Sequence, residues 1–178
     1  DHDAMLDAAV DAVTAAQDAD RVAVLQAVDN RTVRELNARI RADHVTTGDV
    51  SPTGVGLHDG LIAGVGDRVV TRRNARRLAT VDGFVRNGAL WDVTEVRPDG
   101  ALAVRPAGGA PGRGINARTV QLPAGYVTEH VELGYATTIA GTQGMTVDET
   151  HTIAAAGMGR EDLYVAMSRG RHANRTYV

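Results

Sequence analysis

Two stretches near the end of this 178-residue chain carry side chains suited to handling phosphate. The first is Thr137-Thr138-Ile139-Ala140-Gly141-Thr142-Gln143-Gly144-Met145-Thr146-Val147-Asp148. Its glycines and small hydroxyl residues let backbone N–H groups come close to an anion. Gln143 has the reach to orient a phosphate or a water. The second is Leu163-Tyr164-Val165-Ala166-Met167-Ser168-Arg169-Gly170-Arg171. A buried segment ending in Ser-Arg-x-Arg presents guanidinium groups that can grip phosphate in a bidentate fork. An arginine in that role neutralises charge that develops on a transferred phosphoryl group. Each stretch also has a plainer reading, as a surface turn and as a capping or solvated arginine pair. Occurring in this order they point together to phosphoryl chemistry.

All nineteen basic residues are arginine, and the chain has no lysine. A phosphate-cradling loop of the form G-x-x-x-x-G-K-[ST] is therefore absent from it, since the lysine of that loop contacts the β- and γ-phosphates. Whatever ATP chemistry the two stretches serve, a P-loop must come from elsewhere. The chain carries no cysteine, which removes disulfides and thiolate metal sites and fits a reducing, cytoplasmic setting. The histidines His44, His58, His130, His151 and His172 share no metal-ligand spacing. No apolar run approaches a membrane span, and the acidic start lacks the pattern of a signal peptide.

The net charge of −3 gives no global signature of nucleic-acid binding. Locally the balance reverses. Between Asp67 and Arg86, six arginines (68, 72, 73, 76, 77 and 86) face Asp67 and Asp82, a local charge of +4. That run reads equally as a solvated arginine-rich loop or as a surface for phosphates.

The elements that must position these residues follow from periodicity. Ala4 to Asp18 has apolar positions at helical spacing, and Arg21 to Val28 is a compact apolar run of the buried-strand type. Asn30 and Thr32 offer N-cap chemistry for a helix with Val33, Leu36 and Ile40 on one face. Gly48 to Gly66 reads as a loop or loose hairpin, and Asp67 to Arg72 as a strand with charged edges. Short β-prone stretches then alternate with turns at Asn87-Gly88, Pro98-Asp99-Gly100 and Ala107 to Gly114. Trp91 suits the core of that β-rich part better than a base-stacking platform. From Gly134 onward the order reads as strand, Gly/Thr/Gln loop, short helix, strand, and a helix opening on Ser168. Asp148 and Glu149 read as a helix N-cap or as an acid pair.

The last two stretches resemble motifs V and VI of superfamily 1 DNA helicases of the RecD-like branch, and most nearly the helicase region of conjugative relaxase–helicases (the MobF, TraA/TraI type). Val33 to Arg41 and Gly66 to Asn74 resemble that family's lead-in helix and mid-domain strand, and Asn87-Gly88 with Trp91-Asp92-Val93-Thr94 resembles its SH3-like insertion. The resemblance implies an α/β, RecA-like three-layer fold of the P-loop NTPase type without the P-loop, carrying a small SH3-like β-barrel. The expected division is residues 1–75 and 128–178 for the RecA-like domain and 76–127 for the insertion.

By the same resemblance Arg169 is the arginine finger, and Gln143, Gly144, Thr146, Arg169 and Arg171 face nucleotide. Thr138, Arg72, Arg73 and Asn74 border single-stranded DNA. ATP and Mg²⁺ would be shared with a preceding P-loop RecA-like domain of the same polypeptide. Further partners would be conjugation or recombination proteins. The chain then reads as an excised piece of a longer ATP-dependent helicase, inactive in ATP hydrolysis by itself. Two alternatives stand beside conjugation. One is a RecD-like exonuclease V α-subunit in recombination. The other is a non-catalytic interaction module, favoured by Ala140-Gly141, which replace the residues the family carries before Gln-Gly, a histidine among them.

Overall fold

The computed structural model describes residues 2–108, 119–145, 147–155 and 157–178. Thr146 and most of the Gly/Ala/Pro stretch after Gly108 lie outside the described residues. In chain order the elements begin with α1 (His2–Asp18), β1 (Ala23–Ala27), α2 (Asn30–Thr47), β2 (Val55–Gly56), β3 (Ile62–Ala63), β4 (Arg68–Thr71), β5 (Ala75–Thr80) and β6 (Gly83–Val85). They continue with β7 (Leu90–Val96), β8 (Leu102–Pro106), β9 (Val120–Leu122), α3 (Ala124–His130), β10 (Val131–Leu133), β11 (Ala136–Thr138), β12 (Val147–Ile153), α4 (Arg160–Ala166) and β13 (Gly170–Tyr177). A 3-10 turn, Ala140–Thr142, lies between β11 and β12.

The chain divides into two compact units, Asp1–Ile40 with Tyr135–Val178, and Arg41–Gly134. The sequence reading put the breaks after residues 75 and 127. The difference has a simple cause. Strands β4 and β10 flank that expected insertion, yet they pair with each other, and β4 pairs with β7.

The first unit is built on a four-stranded parallel sheet, order β11-β1-β12-β13. Every residue of β1 is buried, and six of the seven in β12 are too. Residues on both faces of these central strands are shielded from water, so the sheet is covered on both sides, as parallel sheets are. This is the mixed α/β layering of a RecA-like domain. Helix α1 buries Leu6, Ala9, Val10, Val13 and Ala16, a single stripe at helical spacing. Helix α2 buries Leu36, Asn37 and Ile40. Asn37 is polar because it stands in for a missing strand partner: its Nδ2 donates to the Ala136 carbonyl at 3.1 Å and its Oδ1 accepts from the Ala136 N–H at 2.7 Å. The start of α2 is capped by Asp29, which accepts from the Thr32 N–H at 2.9 Å and its hydroxyl at 2.8 Å. The cap is thus Asp29, and the Thr32 side chain serves as a donor to it.

The second unit centres on a five-stranded antiparallel sheet, order β10-β4-β7-β8-β9. Its ends, β10 and β9, do not pair with each other among the described residues, so the strands expected to close a small barrel form an open sheet. Two hairpins, β2–β3 and β5–β6, form two-stranded ladders of their own. Asp67 is fully buried and holds one corner together, accepting from Arg41 Nε at 2.9 Å and the Gly64 N–H at 2.8 Å. Trp91 is 4% exposed and donates from Nε1 to Thr71 Oγ1 at 3.1 Å, so it belongs to the core.

Candidate functional site

The register of two parallel strands assembles the site. Val147 of β12 pairs with Gly170 of β13. The strand that follows the Gln143-Gly144 loop and the strand that follows the Arg169 turn therefore start side by side. The loop is folded by its own small residues. Thr138 Oγ1 accepts from the Gly141 N–H at 3.0 Å, and Thr142 Oγ1 donates to the Ile139 carbonyl at 2.6 Å. The Thr142 carbonyl accepts from the Met145 N–H at 3.0 Å. Gly144 between them has φ +84°, a left-handed conformation that a side chain resists, with open space around it. The outcome is a turn that buries Thr142 and Met145 while exposing Gln143 and Gly144.

The Arg169 turn is fixed from the other side. A Cβ on Gly170 would stand 2.2 Å from the Ala173 carbonyl oxygen, so only glycine fits there. Asn174 brackets that glycine: its Oδ1 accepts from the Gly170 N–H at 2.8 Å, and its Nδ2 donates to the Gly170 carbonyl at 3.1 Å. Thr150 of β12 then donates to Asn174 Oδ1 at 2.6 Å. Arg169 is half-buried, and its buried Nε has no hydrogen-bond partner among the described residues. A guanidinium held on a rigid turn with an unused buried donor fits an anionic oxygen. Sequence reasoning predicted a helix opening on Ser168. Instead α4 ends at Ala166, before Ser168, and Gly170 begins a strand that is half-buried and rich in polar residues.

Gln143 and Gly144 are exposed on a turn whose start is tied to the carboxyl end of β1, Ile139 N–H donating to the Ala27 carbonyl at 3.1 Å, while Arg169 stands just before β13, with exposed Arg171 one residue into that strand. Thr138 lies at the carboxyl end of β11, opposite Ala27, and spends its hydroxyl oxygen on its own turn. In the second unit Arg72 pairs with Glu132 at 3.0 Å. Arg73 is exposed with Nη1 3.3 Å from His130 Nε2, and Asn74 accepts from the Asn87 N–H at 2.9 Å. Arg72 and Asn74 are therefore engaged within the fold.

Asp148 and Glu149 are strand residues, neither a cap nor a pair. Asp148 accepts from the Val22 N–H at 2.9 Å. Glu149 is 1% exposed and meets Arg21 at 2.7 Å and Arg175 at 3.3 Å. Beside it the buried His151 faces Tyr177 Oη through Nδ1 at 2.8 Å. Its Nε2 stands 3.4 Å from Glu149 without a well-aligned hydrogen bond. Burial pushes the His151 imidazole below its ordinary value, as do Arg175 and Arg21, against the opposing pull of Glu149. Sequence reasoning missed this cluster and the Thr150–Asn174 brace. Their one signal was a run of polar residues, Asp148 to Thr152, in a central strand that ought to be apolar.

The class of fold is that of a helicase domain. The chain is similar to the Pif1 helicase from Bacteroides solved with ADP-AlF3 and single-stranded DNA, at 20% identity and a TM-score of 0.54, over 86% of this chain and 40% of that one. The Pif1 helicase from Candida albicans gives 16% identity and a TM-score of 0.56, over 88% and 44%. The chain thus spans less than half the length of these helicases. By sequence it is 33% identical to the uncharacterized protein Rv2311 of Mycobacterium tuberculosis over 130 residues, 72% of this chain and 70% of that protein. The chain belongs to the family of that mycobacterial protein. It also matches the conjugal transfer protein TraA of Agrobacterium fabrum, 32% identical over 112 residues, which is 63% of this chain and 9% of TraA. No protein-family model matches. Among the described residues no helix is long and apolar enough to cross a membrane.

Proposed function

We propose that the chain is the C-terminal motor domain of a superfamily 1 DNA helicase or translocase of conjugative transfer, acting on single-stranded DNA. The observation that supports this reading is the Arg169 turn, held by Gly170 and Asn174 and carrying a buried Nε without a hydrogen-bond partner among the described residues. The likeness to TraA supports conjugation over the recombination role of a RecD-like exonuclease subunit. In this reading the family's SH3-like insertion, expected at residues 76–127, lies within the second unit.

ATP with Mg²⁺, when bound, supplies the phosphoryl group whose hydrolysis drives movement. Its P-loop belongs to a separate RecA-like domain of the same polypeptide. The residues here that would meet it are Gln143, Gly144, Thr146, Arg169 and Arg171. The orphaned Arg169 Nε is the feature that fits such a ligand. Arg169 neutralises charge at the γ-phosphoryl group, Gln143 orients water or phosphate, and the Gly144 turn brings backbone close. Thr138 and Arg73 contribute to the DNA side.

The chain alone hydrolyses no ATP, and joined to a P-loop domain it turns over ATP with stimulation by single-stranded DNA. Robust turnover by the pure chain would contradict the split site. A second reading, a non-catalytic interaction module, is favoured by Ala140-Gly141, which begin the 3-10 turn without offering a side chain to any ligand. A joined protein that binds single-stranded DNA yet leaves ATP intact selects that reading.

A further inference from the structure

The arginine-rich run of the second unit resolves into spent and unspent charges. Arg68 pairs with Asp92 at 3.0 Å, and Arg72 pairs with Glu132. Arg73, Arg76, Arg77 and Arg86 have no carboxylate partner among the described residues, and all four are exposed. Three of them surround the β5–β6 hairpin, where Asp82 is the lone acid. In a chain of net charge −3, exposed guanidinium groups without carboxylate partners at one hairpin mark a place for an outside anion.

Two of them share an aromatic ring. The guanidinium carbons of Arg76 and Arg86 lie 5.2 Å and 5.0 Å from the centroid of the half-buried Phe84. Phe84 and Arg86 also edge a pocket of about 200 Å³ whose other walls include Leu90, Trp91, Pro106 and Val120. Small-molecule sites run to about 300–1,000 Å³, so this pocket is too small for a whole nucleotide. It suits one flat, largely apolar group whose charges stay outside, against the arginines.

We propose that the β5–β6 hairpin binds single-stranded DNA by admitting one unpaired base to this pocket, against Phe84, while Arg76 and Arg86 hold the flanking phosphates. An aromatic beside arginines is the general device for gripping a single strand without reading its sequence. The proposal rests on the DNA-binding part of the function proposed above and deepens it. It moves the main contacts of this unit from Arg72 and Asn74, which the fold engages, to Arg76, Phe84 and Arg86.

Trp91 is the sole tryptophan and lines the pocket, so its emission reports entry directly. The full chain is titrated at low salt with labelled oligothymidylate and with the same strand carrying abasic sites, following anisotropy and Trp91 emission together. The intact strand quenches Trp91 and the abasic strand does not. Phe84→Ala weakens binding of the intact strand about ten-fold and leaves the abasic strand unchanged. The double variant Arg76→Ala/Arg86→Ala weakens both strands and lowers the salt slope by about 1.4. Because both arginines are exposed, that variant and the abasic strand keep the test independent of any effect of Phe84→Ala on folding. Binding that ignores the double variant, or that leaves Trp91 emission unmoved, overturns the hairpin site while the proposed ATP role stands. No binding by the unaltered chain at low salt overturns the DNA role as well.

Discussion

Arg169 is positioned by what surrounds its backbone. Its neighbour Gly170 has no room for a Cβ, and Asn174 holds that glycine from both sides, with Thr150 donating to the same Asn174 oxygen. Asn174→Ala leaves the Gly170 N–H and the Thr150 hydroxyl without this acceptor in a partly buried setting. It should cost about 1–3 kcal/mol of stability, measured by denaturant unfolding. In the joined protein the same change should lower turnover while leaving nucleotide affinity nearly unchanged. A variant with wild-type stability and turnover would remove Asn174 from that positioning role. Ser-Arg-x-Arg is a compact signal in the sequence, but the segment before it, expected to be buried, exposes Leu163, Tyr164 and Met167 and buries only Ala166. Asn174 was not readable, since an asparagine in a polar stretch carries no local mark of a contact made by the fold.

At the scale of elements, β1 was readable because four of its five buried residues, Ala23, Val24, Leu25 and Ala27, are apolar. Strand β13 was not. Its residues Gly170-Arg171-His172-Ala173-Asn174-Arg175-Thr176-Tyr177 lie at the sheet edge and none is fully buried, so neither the strand's alternation nor an apolar run appears. The helix expected there is overridden by pairing with β12. The open sheet of the second unit is similar in kind: the turn signal at Pro98-Asp99-Gly100 placed the β7–β8 hairpin, but the β5–β6 pairing and the openness of the sheet depend on contacts that no local pattern encodes.

Strand β12 carries a testable consequence. His151 is buried and its native pKa is depressed, so the unfolded chain takes up its proton first. Stability is therefore held above the ordinary value of 6.5 and falls as pH drops through it, levelling below the depressed native value. Thermal unfolding should occur at lower temperature at mildly acidic than at neutral pH, and His151→Asn should flatten that dependence. An unchanged slope would show that His151 titrates as freely folded as unfolded. At the start of α2, Asp29→Ala should cost about 0.5–2 kcal/mol through loss of the cap, read by chemical denaturation. A loss within error would mean that other groups cap α2.

For the whole molecule, sequence and structure divide the work unevenly. Absence of lysine excluded a P-loop from these residues, and the paired motifs pointed to a helicase fold that the comparison with Pif1 bears out. Net charge concealed an unneutralised group of arginines, because its sign is outweighed by acids elsewhere and the ion-pair pattern shows which arginines are spent. In the function proposed above, this domain supplies half of a shared ATP site through Arg169. The most direct test of that role is ATP turnover, with nucleotide affinity measured alongside, in a protein joining this chain to a P-loop domain. Arg169→Ala should lower turnover by at least about 10³-fold with nucleotide binding largely kept. Turnover that survives the substitution intact would contradict the account.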